Sequence, residues 1–201
     1  MLYNKLPLYK MVLDDGEDLG VSKISLVEFP AVEEDFLLFE NKESKEYKFE
    51  VQDEEKHIVS GIVMVADRPI YREDSYGKGY YVVFPKETIE ELAFRFAKNK
   101  YIFNISIDHM YDVDNCYVCE SFIINKERGI CPVEFSDVED GSWFASVKIE
   151  NEDLWNAIKN GEGYNGFSVE VKTLVEEFSK QNEKVPENWL KTLFTGKIFT
   201  K

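Results

Sequence analysis

A hydroxyl becomes a useful nucleophile at neutral pH only when a base stands ready to take its proton. This sequence offers few such bases, because it carries two histidines, His57 and His109. His57 opens an apolar run beside Glu54, Glu55 and Lys56 and reads as a surface residue. His109 closes the strand-like stretch 101–109 at the entrance to a polar turn, where a sheet can aim an imidazole into a cleft. The serine that could meet it is Ser168, in Gly163-Tyr164-Asn165-Gly166-Phe167-Ser168-Val169-Glu170-Val171. Strand alternation sets Ser168 and Glu170 on one face and Phe167, Val169 and Val171 on the other. Alone, such a serine is an ordinary polar strand residue. Paired with His109 it is an acyl-transfer nucleophile with a general base.

Other chemistries compete for the same residues. His109, Cys116, Cys119 and Cys131 read H-x6-C-x2-C-x11-C, the ligand types of a Cys3His zinc site. Cys119, however, falls inside a run that reads as continuous strand, and no glycine shapes a knuckle there. Inert thiols in a reducing compartment are the preferred reading, and neither metal nor cofactor is expected. Glu120 lies between Val118 and Phe122 on the apolar face of a predicted strand, and a buried carboxylate demands a partner. Gly166-Phe167-Ser168-Val169-Glu170 is not a G-x-S-x-G elbow, which excludes an α/β-hydrolase. Neither H-E-x-x-H nor a phosphate loop occurs.

The elements that must position these residues are mostly strands. Alternating or apolar runs predict them at 6–14, 21–31, 47–51, 57–66, 79–84, 101–109, 117–124, 142–149 and from 166 to 175. Residues 66–72 read as loop and 73–79 as a charged hairpin tip. A helix is predicted over 86–99, with Ile89, Leu92, Ala93, Phe96 and Ala97 on its buried face. A second spans 151–160, with Asn151 as N-cap and Gly161 as its stop. Residues 186–194 suggest a short amphipathic helix. The expected fold is α+β and mostly β, a closed or strongly curled sheet with helices packed outside. One domain over 1–178 and a polar tail over 179–201 account for the length.

Composition narrows the partners. The net charge of −15 opposes tracking of nucleic-acid backbones or anionic membranes, which reward Lys and Arg. No apolar run reaches the length of a membrane span, and the first fifteen residues lack a signal-peptide pattern. An intracellular protein with no nucleic-acid or membrane partner is expected.

Several blocks carry a family resemblance. They are Val59-Ser60-Gly61-Ile62-Val63-Met64, Arg68-Pro69-Ile70-Tyr71-Arg72, Tyr81-Val82-Val83-Phe84-Pro85-Lys86, Asp108-His109, Val118-Cys119-Glu120-Ser121-Phe122, Gly141-Ser142-Trp143 and Gly166-Phe167-Ser168-Val169-Glu170. In this order, over most of residues 20–175, the chain resembles the XkdF-like serine proteases of tailed phages. These are similar to prohead proteases, which share the herpesvirus assemblin fold, a β-barrel wrapped by helices. The resemblance implies a serine endopeptidase that cleaves scaffold and major capsid protein inside the procapsid, in the host cytoplasm. It implies Ser168 as nucleophile and His109 as base, and leaves room for a homodimer. A catalytically inactive head module with the same fold is the alternative.

One block is out of place. Ser25-Leu26-Val27-Glu28-Phe29-Pro30-Ala31 resembles a strand that usually follows the nucleophile, so strand 21–31 suggests a circular permutation. The position of the usual third triad member then falls on Lys23, which cannot accept a hydrogen bond from imidazole while protonated. Glu120 is the first substitute, then Glu170 and Glu28. Asp108 is disfavoured because adjacent strand residues face opposite ways, and a Ser-His dyad stays open. Arg72 is a candidate to assist the oxyanion.

Overall fold

The structure is a computed structural model that describes residues 6–13, 19–28, 50–73, 76–161, 163–177 and 192–197. In chain order the elements are β1 (Leu8–Val12), β2 (Gly20–Val27), β3 (Glu50–Asp53), β4 (Ile58–Met64), β5 (Ile70–Glu73), β6 (Gly79–Val83) and α1 (Lys86–Lys98). They continue with β7 (Ile105–Ile107), β8 (Tyr111–Asp112), β9 (Cys116–Ile123), β10 (Trp143–Ile149), α2 (Glu152–Lys159), β11 (Gly166–Glu177) and β12 (Thr192–Lys197). The α+β, mostly β expectation holds. Of the predicted elements, residues 14, 29–31, 47–49 and 186–191 lie outside the described residues.

The strands form two sheets. One has the order β5-β6-β1-β11-β2-β7-β8, with β12 also on β11; the other is β3-β4-β10-β9. The long strand β11 organises the first. β1 pairs antiparallel with its residues 174–177, and β2 with residues 166–172. β12 pairs with 170–175, overlapping both. A strand has two edges, so β12 takes one and β1 and β2 share the other, end to end. β2 then pairs in parallel with β7. The expected barrel is not found: closure needs a continuous ladder between the outermost strands, and at one end of this sheet β8 offers two exposed residues.

One core joins the two sheets and both helices. Ile24, Leu26, Phe167 and Val169 meet Trp143, Ala145 and Val147 there, together with Leu92 and Phe96 of α1. The Phe96 ring stands edge-on to Trp143, with centroids 5.3 Å apart. Burying each such side chain stabilises the fold by about 1.5–3 kcal/mol. A smaller cluster around Phe135, Val138 and Phe144 covers the second sheet under the irregular stretch 124–142.

The local signals held where chemistry was explicit. Asn151 caps α2 by accepting from the Leu154 N–H at 3.0 Å, and Gly161 ends it at φ +71°. Residues 70–73, expected as the end of a loop and the start of the charged hairpin tip, are β5, paired with β6. Residues 192–194, read as the end of a helix, are strand and pair with β11.

Candidate active site

Ser168 lies in β11 where both faces of the sheet are covered. Phe167, Val169 and Val171 point into the core, and Ser168 faces the other way yet is only 2% exposed. What covers it is His109. The imidazole Nε2 lies 2.9 Å from Ser168 Oγ, within hydrogen-bond reach of a nucleophile and its base.

His109 does not get there by strand alternation, as the sequence reading supposed. β7 stops at Ile107, and Asp108 and His109 follow at φ +48° and +58°. The Met110 N–H donates to the Ile107 carbonyl at 2.9 Å. Two consecutive positive-φ residues closed by that bond make a tight hairpin turn over residues 108–110, which joins β7 to β8. Asp and His are among the non-glycine residues that tolerate this region best. The turn curls the imidazole back over its own sheet, and the Asp108 N–H donates to the Leu26 carbonyl of β2 at 3.0 Å. The ring is buried by this packing.

The other ring nitrogen meets hydroxyls. Across the sheet the register aligns Ser168 with Ser25 of β2, and Ser25 with Ser106 of β7. His109 Nδ1 lies 2.9 Å from Ser25 Oγ, which lies 2.6 Å from Ser106 Oγ. Both added serines are fully buried. Sequence reasoning missed this pair. The signal was present in Ile24-Ser25-Leu26 and Ile105-Ser106-Ile107, each a hydroxyl between inward-pointing apolar residues.

The carboxylates proposed to orient His109 divide. Glu170 Oε1 approaches Nδ1 to 3.8 Å from the same face of β11 as Ser168. Glu120 sits in the second sheet, exposed, accepting from Ser146 Oγ at 2.6 Å. Its placement corrects the expectation of a buried carboxylate reaching His109. A β-bulge at Cys119 sets Glu120 opposite Ser146 and Val118 opposite Val147, so Glu120 and Val118 face opposite ways. Glu28 is exposed beyond the end of β2, and its carbonyl accepts from Asn165 Nδ2 at 3.1 Å. Lys23 forms an ion pair with Asp112 of β8, tying β2 to the hairpin that carries His109.

Arg72 is misplaced for an oxyanion role. It pairs in register with Tyr80 of β6, whose neighbour Tyr81 faces Leu8 of β1. The next residue of β1, Tyr9, faces Glu177 at the far end of β11 from Ser168. Burial lowers its guanidinium to about 10, so it stays charged at neutral pH. The zinc reading dissolves as well. Cys116 packs in the shared core, Cys131 packs against the smaller cluster, and Cys119 is exposed. Among the described residues no three His, Cys, Asp or Glu side chains converge as metal ligands. His57 stacks on Trp155 with ring centroids 4.6 Å apart, away from the serines.

The family described as "Putative phage serine protease XkdF" matches residues 47–190. The chain belongs to that family. The match takes in both Ser168 and His109, and it leaves out the strand that supplies Ser25. No curated protein and no solved structure matches the chain. Among the described residues no helix is long and apolar enough to cross a membrane.

Proposed function

We propose that this protein is a serine endopeptidase in which Ser168 attacks the scissile carbonyl and His109 carries the proton. The observation that supports this is the 2.9 Å contact between Ser168 Oγ and His109 Nε2. As the hydroxyl attacks, Nε2 takes its proton, and the resulting imidazolium returns a proton to the leaving amine. The acyl-enzyme is then hydrolysed by water activated at the same nitrogen. Backbone N–H groups beside the nucleophile are the donors for the oxyanion.

The substrates proposed are the scaffold and major capsid proteins of a phage head, cleaved inside the procapsid in the host cytoplasm. Membership in a phage protease family supports this, and so does the assemblin-like placing of a nucleophile strand after a helix. The direct pairing of β2 with β11 supports a permuted order, since the strand usually found after the nucleophile here reaches it from the N-terminal side. A homodimer is the proposed active form.

An inactive head module with this fold is the second reading, favoured by the burial of Ser168 and by a hydroxyl where a carboxylate usually stands. One experiment separates them. Co-expression with scaffold is expected to give cleavage that Ser168→Ala and His109→Ala each abolish, with fluorophosphonate labelling lost in Ser168→Ala. Processing that survives either substitution overturns the enzyme reading, and absence of labelling at assembly-like protein concentration supports the module.

A further inference from the structure

We infer that Ser25, backed by Ser106, is the positioning residue that holds the His109 ring against Ser168, and that Glu170 sets its working tautomer and supplies the counter-charge. This rests on the dyad reading above and goes beyond it by naming what stands in for the third member.

The donors and acceptors around His109 can be counted. For Nε2 to accept the Ser168 proton, the neutral ring must carry its hydrogen on Nδ1. That N–H points at Ser25 Oγ, 2.9 Å away, so Ser25 must accept there. Its own hydrogen is then committed outward, to Ser106 Oγ at 2.6 Å. The chain therefore runs one way: Ser168 O–H to Nε2, Nδ1–H to Ser25, Ser25 O–H to Ser106. Reversing every bond gives the wrong tautomer, with Nε2–H donating to Ser168 and the nucleophile left without a base. Hydroxyls accept and donate equally well, so the serines fix the ring's position but not this direction.

Glu170 breaks the tie. Its Oε1 is 3.8 Å from Nδ1, where negative charge favours a hydrogen on that nitrogen and opposes a lone pair there. The same charge favours the imidazolium formed during attack. Ser22 and Lys23 together lie opposite Glu170 at the bulge in β2, where Val169 pairs with Ile24 and Val171 with Val21. Lys23 is paired with Asp112 of β8, and Glu170 Oε1 lies beside the ring at 3.8 Å. Asp108, next in the chain to His109, is the remaining charged neighbour on the turn.

The test reads the ring directly, independent of turnover. Protein labelled with 15N-histidine is compared as wild type, Ser25→Ala, Ser25→Thr, Glu170→Gln and Ser168→Ala by nitrogen chemical shifts of His109. Wild type is expected to show hydrogen on Nδ1. Glu170→Gln is expected to give a mixture of tautomers, whereas Ser25→Ala removes the acceptor that holds the ring and broadens the His109 signals, with Ser25→Thr restoring the wild-type pattern. Where cleavage is measurable, Ser25→Ala lowers kcat at least tenfold with KM within twofold. Glu170→Gln moves the acid limb of the kcat/KM profile to lower pH, because a removed negative charge disfavours the imidazolium. An unchanged tautomer in Glu170→Gln, or unchanged His109 signals in Ser25→Ala, overturns the inference even if Ser168 proves essential. A wild-type tautomer response in a protein without activity supports it and counts against the protease reading alone.

Discussion

Ser168 and His109 were legible because a rare base and a strand hydroxyl recur in a recognisable order. Ser25 and Ser106 were not, because nothing local distinguishes a relay serine from any other polar residue in a strand. Only the register of β11, β2 and β7 puts the three hydroxyls in one row. Glu120 misled for the opposite reason: period-2 alternation implied burial, and one bulged residue reversed it. Cysteine behaviour belongs to this scale too. Burial pushes the Cys116 thiol up to about 11. It is therefore expected to resist an aromatic disulfide reagent at pH 8 in the native state and to react fully in denaturant. Above about pH 9 the unfolded thiol ionises while the folded one stays protonated, so the unfolded state binds fewer protons. Stability is thus expected to fall as pH rises from about 9 toward 11, by this group's share, and Cys116→Ser should flatten that part of a pH-stability curve. Native reaction of Cys116 at pH 8 as fast as in denaturant contradicts its assigned environment.

Elements were read well where their ends carry explicit chemistry, as at the Asn151 cap and the Gly161 stop. They were read poorly where tertiary pairing decides, as for β5 and β12, whose residues gain strand character from a neighbour. The hairpin holding His109 shows why a correct residue can have the wrong local account. A run ending in Ile105-Ser106-Ile107-Asp108-His109 reads as strand, while two positive-φ residues make it a turn. That geometry sets an expectation at Asp108. Glycine adopts positive φ at no steric cost, so Asp108→Gly should keep stability within about 1 kcal/mol of wild type and keep probe labelling of Ser168. A β-branched residue there is strained, so Asp108→Val should cost roughly 1–3 kcal/mol and displace the imidazole. Thermal melts with labelling rates check both. Equal behaviour of the two variants would show that the turn does not set the ring.

At the scale of the whole molecule, the α+β class followed from the strand count, whereas the two-sheet arrangement did not, since sequence patterns name strands without saying which edges meet. The most consequential pairing is that of β2, lodged between β7 and β11. Removing residues 1–28 is expected to abolish labelling at Ser168 and broaden the unfolding transition. Retained labelling would detach β2 from the site. The same pairing has a bearing on biosynthesis. Ser25 emerges early, yet its antiparallel partner carries Ser168, far later in the chain. At roughly 5–20 residues per second, on the order of ten seconds of translation separates them. Ser25 must wait for the strand that carries Ser168 before the two hydroxyls can be brought into register. In the reading proposed above, the centre becomes competent only once β2 has closed against β11.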